Sequence, residues 1–270
     1  MSLPIFQVDA FADQAFRGNP AAVVLLDEDR PTEWMQQVAA EMNLSETAFV
    51  RHLQDDRYSL RWFTPGLEVD LCGHATVATA HVLWSENRVP DRRAITFESR
   101  SGDLPVAAVG DTIQLNFPAT PPESCTPPAG LIESFRHAGA AVSPKYVGRS
   151  RFDYFVVLET ETQIRELEVD FRQLMDCECR GVIVTAIADA GPSYDFVSRF
   201  FGPAAGVDED PVTGSAHCCL AVYWSEQLQR EKMTGYQAST RGGLVGIERQ
   251  GDRVLLQGTA VSVLAGQLLV

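Results

Sequence analysis

The hydrophobic pattern changes character along the chain. The runs IFQVDAF, AAVVLL, TAFVRH, YSLRWF, AITFES, LPVAAVG and TIQLNF are short, rich in β-branched and aromatic residues, and separated by turn residues. They predict strands. PTEWMQQVAAEMN has spaced apolar residues and a proline in its first turn, which predicts an amphipathic helix. HATVATAHVLWSE, after Gly73, is different: it is apolar nearly all round, and so is the segment after Gly214. A helix without a polar face is a buried helix. The expected architecture is therefore α+β, with a strand-rich sheet or barrel wrapped around a central helix.

That unit occurs twice. FTPGLEVDLCGHATVATAHVLWSE starts at Phe63, and FGPAAGVDEDPVTGSAHCCLAVYWSEQL starts at Phe201. Each runs Phe-x-Pro, an acidic loop, a glycine, an apolar segment and Trp-Ser-Glu. The offset is 138 at the phenylalanines, 141 at Gly73/Gly214 and 140 at Trp84/Trp224. SRSGDLPV from Ser99 and STRGGLVG from Ser239 continue it at 140, and AAVVLLDED resembles YFVVLETET upstream. Four matches in order indicate a duplication into two pseudo-symmetric lobes. Residues 1–118 form the first and 131–259 the second. The segment 119–130, with its flanking residues Pro118 to Gly130 holding five prolines, is the crossover. The apolar tail AVSVLAGQLLV, about 260–270, predicts a strand that rejoins the first lobe.

The duplication places two glycines, Gly73 and Gly214, at the starts of buried helices. Free backbone N–H groups and the helix dipole favour an anion there. An inter-lobe cleft holding both helix starts is the expected ligand site. DEDPVTGSAH, residues 208–217, also has an ordinary reading as an acidic helix cap. Departures from the repeat are more informative, because folding needs are shared between copies and chemistry is not. Cys72 stands opposite Thr213. Glu46, in MNLSETAFV, faces Ala186 at the 140-residue offset and has no acidic counterpart. Asp210 precedes Pro-Val-Thr-Gly, where the first copy has Leu-Cys-Gly after Asp70. Glu46 has apolar neighbours, Leu44, Ala48, Phe49 and Val50, which suits a group that shuttles protons near neutral pH. A solvated strand end remains the other reading of a single Glu.

Other residues read as structural. His217 lies one turn into its helix and packs, Arg61 and Arg199 pair with nearby acids, and Trp84 and Trp224 belong to the core. The chain has 270 residues, 45% hydrophobic and 21% charged, and a net charge of −14. That charge argues against nucleic acid and anionic membrane as partners, while leaving room for a local anion site. No signal-peptide pattern or 18-residue apolar window is present. Six cysteines without metal spacing, and five histidines without a ligand-spaced pair, predict reduced thiols, a cytoplasmic setting and no metal. No P-loop or GxGxxG fingerprint occurs, so no organic cofactor is expected.

With these residues in place, the chain resembles the phenazine-biosynthesis PhzF-like isomerase family, which shares the diaminopimelate epimerase fold. The resemblance spans nearly the whole length. It rests on VDAF, GNPAAVV, EMNLSETAFV, RWFTP, VDLCGHAT, DFVSRFFGP and EDPVTGSAHC. It implies a cofactor-independent isomerase acting on a small, cyclic or amino, carboxylic acid, and a homodimer. Glu46 matches the family's proton-moving glutamate, His74 its histidine in Gly-His, and Asp210 its aspartate in Asp-Pro. Ser215, Gly73 and Gly214 match positions at or beside the substrate carboxylate, with Cys72 and Thr213 lining the site. Diaminopimelate epimerase and proline racemase use two facing cysteines. Here Thr213 replaces the second thiol, so Cys72 is expected to line the site and not to catalyse. An epimerase or racemase, and a non-catalytic ligand-binding protein on the same scaffold, are the alternatives.

Overall fold

The computed structural model describes residues 2–269; Met1 and Val270, the ends of the expected first lobe and tail strand, lie outside the described residues. The chain divides into two units, Met1–Asn116 with Leu255–Val270, and Phe117–Val254. In the first half the strands are β1 (Leu3–Ala10), β2 (Asn19–Leu26), β3 (Glu46–Gln54), β4 (Arg57–Phe63), β5 (Glu68–Val69), β6 (Ile95–Ser99), β7 (Gly102–Val109) and β8 (Thr112–Pro118). Helices α1 (Thr32–Met42) and α2 (Gly73–Ser85) lie among them. The second half continues with β9 (Glu123–Ser124), β10 (Phe135–His137), β11 (Ala140–Ala141), β12 (Tyr146–Arg149), β13 (Asp153–Val157) and β14 (Glu168–Val169). Then follow β15 (Gly181–Ile187), β16 (Phe196–Gly202), β17 (Val207–Asp210), β18 (Lys232–Gln237), β19 (Gly243–Gln250) and β20 (Arg253–Gly258). Its helices are α3 (Glu161–Arg165), α4 (Phe171–Met175) and α5 (Gly214–Leu228), and the chain ends in β21 (Ala260–Leu268).

Strand pairing repeats between the units. In the first, neighbours run β21–β1–β2–β3–β4–β6–β7–β8, with β5 added to β4. In the second they run β9–β12–β13–β15–β16–β18–β19, with β17 added to β16. Only β2/β3 and β4/β6 are parallel in the first series, and only β13/β15 and β16/β18 in the second. A parallel pair needs a long crossover, and each of these four carries a helix in its crossover. The fold is α+β, and the tail strand β21 pairs with β1.

Each unit is organised by its apolar helix. In α2 ten of thirteen residues are buried, and in α5 ten of fifteen. Small residues dominate α2 (GHATVATAHVLWS), so β1, β2 and β3 can approach it closely. Helix α1 is amphipathic and buries only Met35, Val38 and Ala39, against a cluster that includes Phe49 and Phe63. The small sheet β11–β10–β14 and the short helices α3 and α4 have no clear signal in the hydrophobic pattern. Among the described residues, no helix is long and apolar enough to cross a membrane.

The helix starts match in detail. Thr76 Oγ1 donates to the Cys72 carbonyl, and His217, at the equivalent position of α5, places Nδ1 2.9 Å from the Thr213 carbonyl. His217 is fully buried and its Nε2 has no hydrogen-bond partner, so the ring is neutral, with its proton on Nδ1. Burial pulls its pKa down to about 4. Above the unfolded value of about 6.5 neither state binds the proton; below it only the unfolded chain does, so stability falls with pH down to the folded value. We expect His217 to remove about 3 kcal/mol of stability between pH 6.5 and 4. His217→Thr, copying Thr76, should flatten that part of the pH profile in urea unfolding, whatever its cost at pH 7. An unchanged slope in the variant would contradict this origin.

Candidate active site

Strand register tests which polar residues are duplicated. Arg61 grips Glu68 with two bonds of 2.7 Å, Nε to Oε1 and Nη2 to Oε2, and lies 5.1 Å from the Phe63 ring. Arg199 grips Glu209 in the same way, at 2.7 and 2.9 Å, and lies 4.9 Å from the Phe201 ring. A feature present in both copies serves the fold, so these arginines are structural. They hold β5 on β4 and β17 on β16, just ahead of the two helix starts.

Two carboxylates break the repeat. Thr47 pairs with Phe63 on β4, and Val182 pairs with Phe201 on β16, which aligns Glu46 with Gly181. The counterpart of Glu46 is therefore Gly181 and not Ala186, because the segments before these strands differ in length. No side chain fits there: a Cβ on Gly181 would come within 2.3 Å of the Phe200 ring. Asp210 pairs with Phe200, as Val69 pairs with Trp62, so the counterpart of Asp210 is apolar. The residues expected at the site thus fall into two sets, one in each unit.

In the first unit, Glu46 opens β3 and Asn19 opens β2, two parallel strands whose starts lie side by side. Cys72 caps α2, and Gly73 and His74 begin it. His74 is buried, with Nε2 3.1 Å from Glu46 Oε2 and Nδ1 3.1 Å from Asn19 Nδ2. Cys72 Sγ lies 3.6 Å from Nδ1 and 4.0 Å from Nε2. The contact between His74 and Glu46 is an ion pair without hydrogen-bond angles, and it leaves the buried Oε2 without a hydrogen-bond partner. Burial alone pulls the imidazole toward neutrality, but the Glu46 carboxylate beside it works the other way and raises its pKa. Burial, with Glu46 nearby, pushes the Cys72 thiol up, so it stays protonated at neutral pH. One ligand atom from each of Glu46, Cys72 and His74 lies within 4.8 Å of the others, so that among the described residues these three together could hold a metal ion.

In the second unit, Asp210 ends β17 and Thr213 caps α5, ahead of Gly214 and the half-buried Ser215. Thr213 Oγ1 donates to Asp210 Oδ2 at 2.5 Å. Gln237, fully buried on β18, brackets this loop: its Nε2 donates to the Asp210 carbonyl at 2.7 Å, and its Oε1 accepts from the Thr213 N–H at 2.8 Å. At each helix start the first amides have no partner within the helix, the arrangement that suits an anion. Cavities of about 660 and 410 Å³ occur elsewhere, and none of these residues lines either. Asn19 and Gln237 carry no assignment from sequence reasoning. The Asn in GNPAAVV, a polar side chain opening a buried strand, was the available signal for the first; Gln237 had none.

Residues 8–266 match the model of the family described as phenazine biosynthesis-like protein. The chain is 51% identical to a protein of Halalkalibacterium halodurans named an uncharacterized isomerase, covering 100% of both. Among solved structures, it is similar to a phenazine biosynthesis protein of the PhzF family from Enterococcus faecalis, at 40% identity, a TM-score of 0.92 and 100% of both chains. A hydroxyproline epimerase from Agrobacterium vitis, at 8% identity, shares the fold with a TM-score of 0.62 over 99% of this chain and 92% of that one.

The electrostatics give a direct test of the first set. Replacing the carboxylate in Glu46→Gln removes the charge that favours protonated His74, so its titration should move to lower pH. Imidazole nitrogen chemical shifts followed from pH 5 to 10 read this. A midpoint that stays in place would show that the two side chains are not coupled.

Proposed function

The chain belongs to the phenazine biosynthesis-like protein family and is an isomerase, and we propose that it moves a proton on a small carboxylic acid, with Glu46 as both acid and base. The observation that carries this is the contact of the lone Glu46 carboxylate with His74 at 3.1 Å, beside a helix start. Glu46 takes a proton from a carbon next to an electron-withdrawing group, and the freed electron pair moves into the conjugated system. The same carboxyl group then returns the proton to a second carbon on the same face. His74, which the Glu46 carboxylate biases toward its charged form, offsets the negative charge that develops. Cys72 supplies a neutral thiol wall.

Asp210, Thr213, Gly214 and Ser215 take the binding role in this reading. Gly214, like Gly73 at the start of α2, lets an anionic group approach backbone N–H groups closely, and Asp210 bonds a hydroxyl or amine, since two like charges in contact would repel. A two-base racemase is disfavoured by Thr213, whose hydroxyl is committed to Asp210. The reading includes no metal or organic cofactor as reactant, a small-molecule partner, a cytoplasmic setting and a homodimer. Six unpaired cysteines support the reducing setting.

The test is solvent exchange. A thermal-shift screen of small cyclic and amino carboxylic acids selects ligands, and deuterium uptake into each is followed in D₂O. Glu46→Gln should slow uptake by about 10² to 10⁴-fold while ligand affinity stays within a few-fold. Uptake at the unaltered rate in the variant would exclude Glu46 as the acid and base.

A further inference from the structure

We propose that Glu46, Cys72 and His74 also form a binding site for one thiophilic divalent cation of the zinc type, and that its occupation silences the isomerase. Only the silencing rests on the proton-transfer reading; the binding stands on geometry.

A tetrahedral ion with bonds of about 2.0 to 2.3 Å holds its ligand atoms roughly 3.3 to 3.7 Å apart. His74 Nε2 lies 3.1 Å from Glu46 Oε2 and 4.0 Å from Cys72 Sγ, and one ligand atom from each of the three lies within 4.8 Å of the others; Sγ, now 3.6 Å from Nδ1, swings toward Nε2 on binding. The buried Oε2 has no hydrogen bond to give up. The ligands stand at the starts of β3 and α2, elements fixed by the core. Asn19 completes the arrangement. Its amide lies 3.1 Å from Nδ1 and can turn its oxygen there to accept the ring proton, which leaves the Nε2 lone pair for the ion.

The donor set selects the ion. One sulfur, one imidazole and one carboxylate suit zinc, cobalt or cadmium, whereas magnesium and calcium need oxygen donors throughout. Three protein ligands leave a fourth position open to water or a substrate carboxylate. The positive end of α2 opposes a cation, but the thiolate and the carboxylate together cancel the ion's two charges. Binding releases the thiol and imidazolium protons to water. Both nitrogen and carboxylate are then committed to the metal, and Glu46 can no longer collect a proton from carbon.

Cobalt(II) is the probe, titrated into the full chain. One equivalent should produce a thiolate-to-cobalt charge-transfer band with the visible bands of tetrahedral cobalt, and added zinc should bleach them. Cys72→Ser should remove the charge-transfer band. Glu46→Gln, which keeps the thiol, should weaken binding by more than about tenfold. The double variant Cys177→Ser, Cys179→Ser should bind as before. No band in the unaltered protein, a band that survives in Cys72→Ser, or one lost with Cys177 and Cys179 would overturn the site. If Cys72→Ser does not fold, as read by far-ultraviolet circular dichroism, an unchanged affinity in Glu46→Gln overturns it alone. Saturating zinc should also stop the deuterium uptake of the unaltered enzyme. Uptake that continues with the site filled would overturn the silencing while the site stands. Uptake that persists in Glu46→Gln would instead refute the proton-transfer role, with the cobalt result unaffected.

Discussion

The structure depends on burying a helix that has no polar face. Neither α2 nor α5 could exist in water with its apolar circumference exposed, and each is sheathed by strands of its own unit. Sheathing fixes more than stability. A helix buried along its length still has first-turn amides without partners inside the helix, and these need partners from outside it. The polar chemistry of each unit is gathered at its helix start: Glu46 and His74 at one, Asp210 and Thr213 at the other.

Duplication separates structural polarity from functional polarity without any second sequence. The Arg61–Glu68 and Arg199–Glu209 forks are alike to 0.2 Å in their bond lengths and both lie over a phenylalanine ring. Selection for folding explains both copies. Glu46 opposite Gly181 and Asp210 opposite Val69 have no such explanation, since the partner copy folds with no carboxylate there. Buried or half-buried charge is costly, and a copy that does without it shows that the scaffold does not need it.

Much of this was legible in the chain. Alternating and all-round apolar patterns marked the strands and the two central helices, because periodicity reports burial directly. Glycine followed by a polar residue marked the helix starts. A fixed offset of 140 pairs Glu46 with Ala186, but an offset carried across loops of unequal length loses register; only the hydrogen-bonded ladder restores it. Asn19 and Gln237 escaped for a different reason. Their importance lies in partners 55 and 24 to 27 residues away, and no local pattern encodes a distant partner. The sheet β11–β10–β14 escaped because two- and three-residue strands carry no period.

The pairing of β21 with β1 has a consequence for how the chain is made. Leu3 lies opposite Leu268 and Ala10 opposite Ala260, so β1 leaves the ribosome long before the strand that completes one of its edges. Until then one edge of β1 has no partner, and such an edge invites pairing with other chains. The second unit is continuous in sequence, Phe117–Val254, and can close while its predecessor waits. Vectorial synthesis therefore closes the two units in reverse order: of the two, the one begun first is finished last.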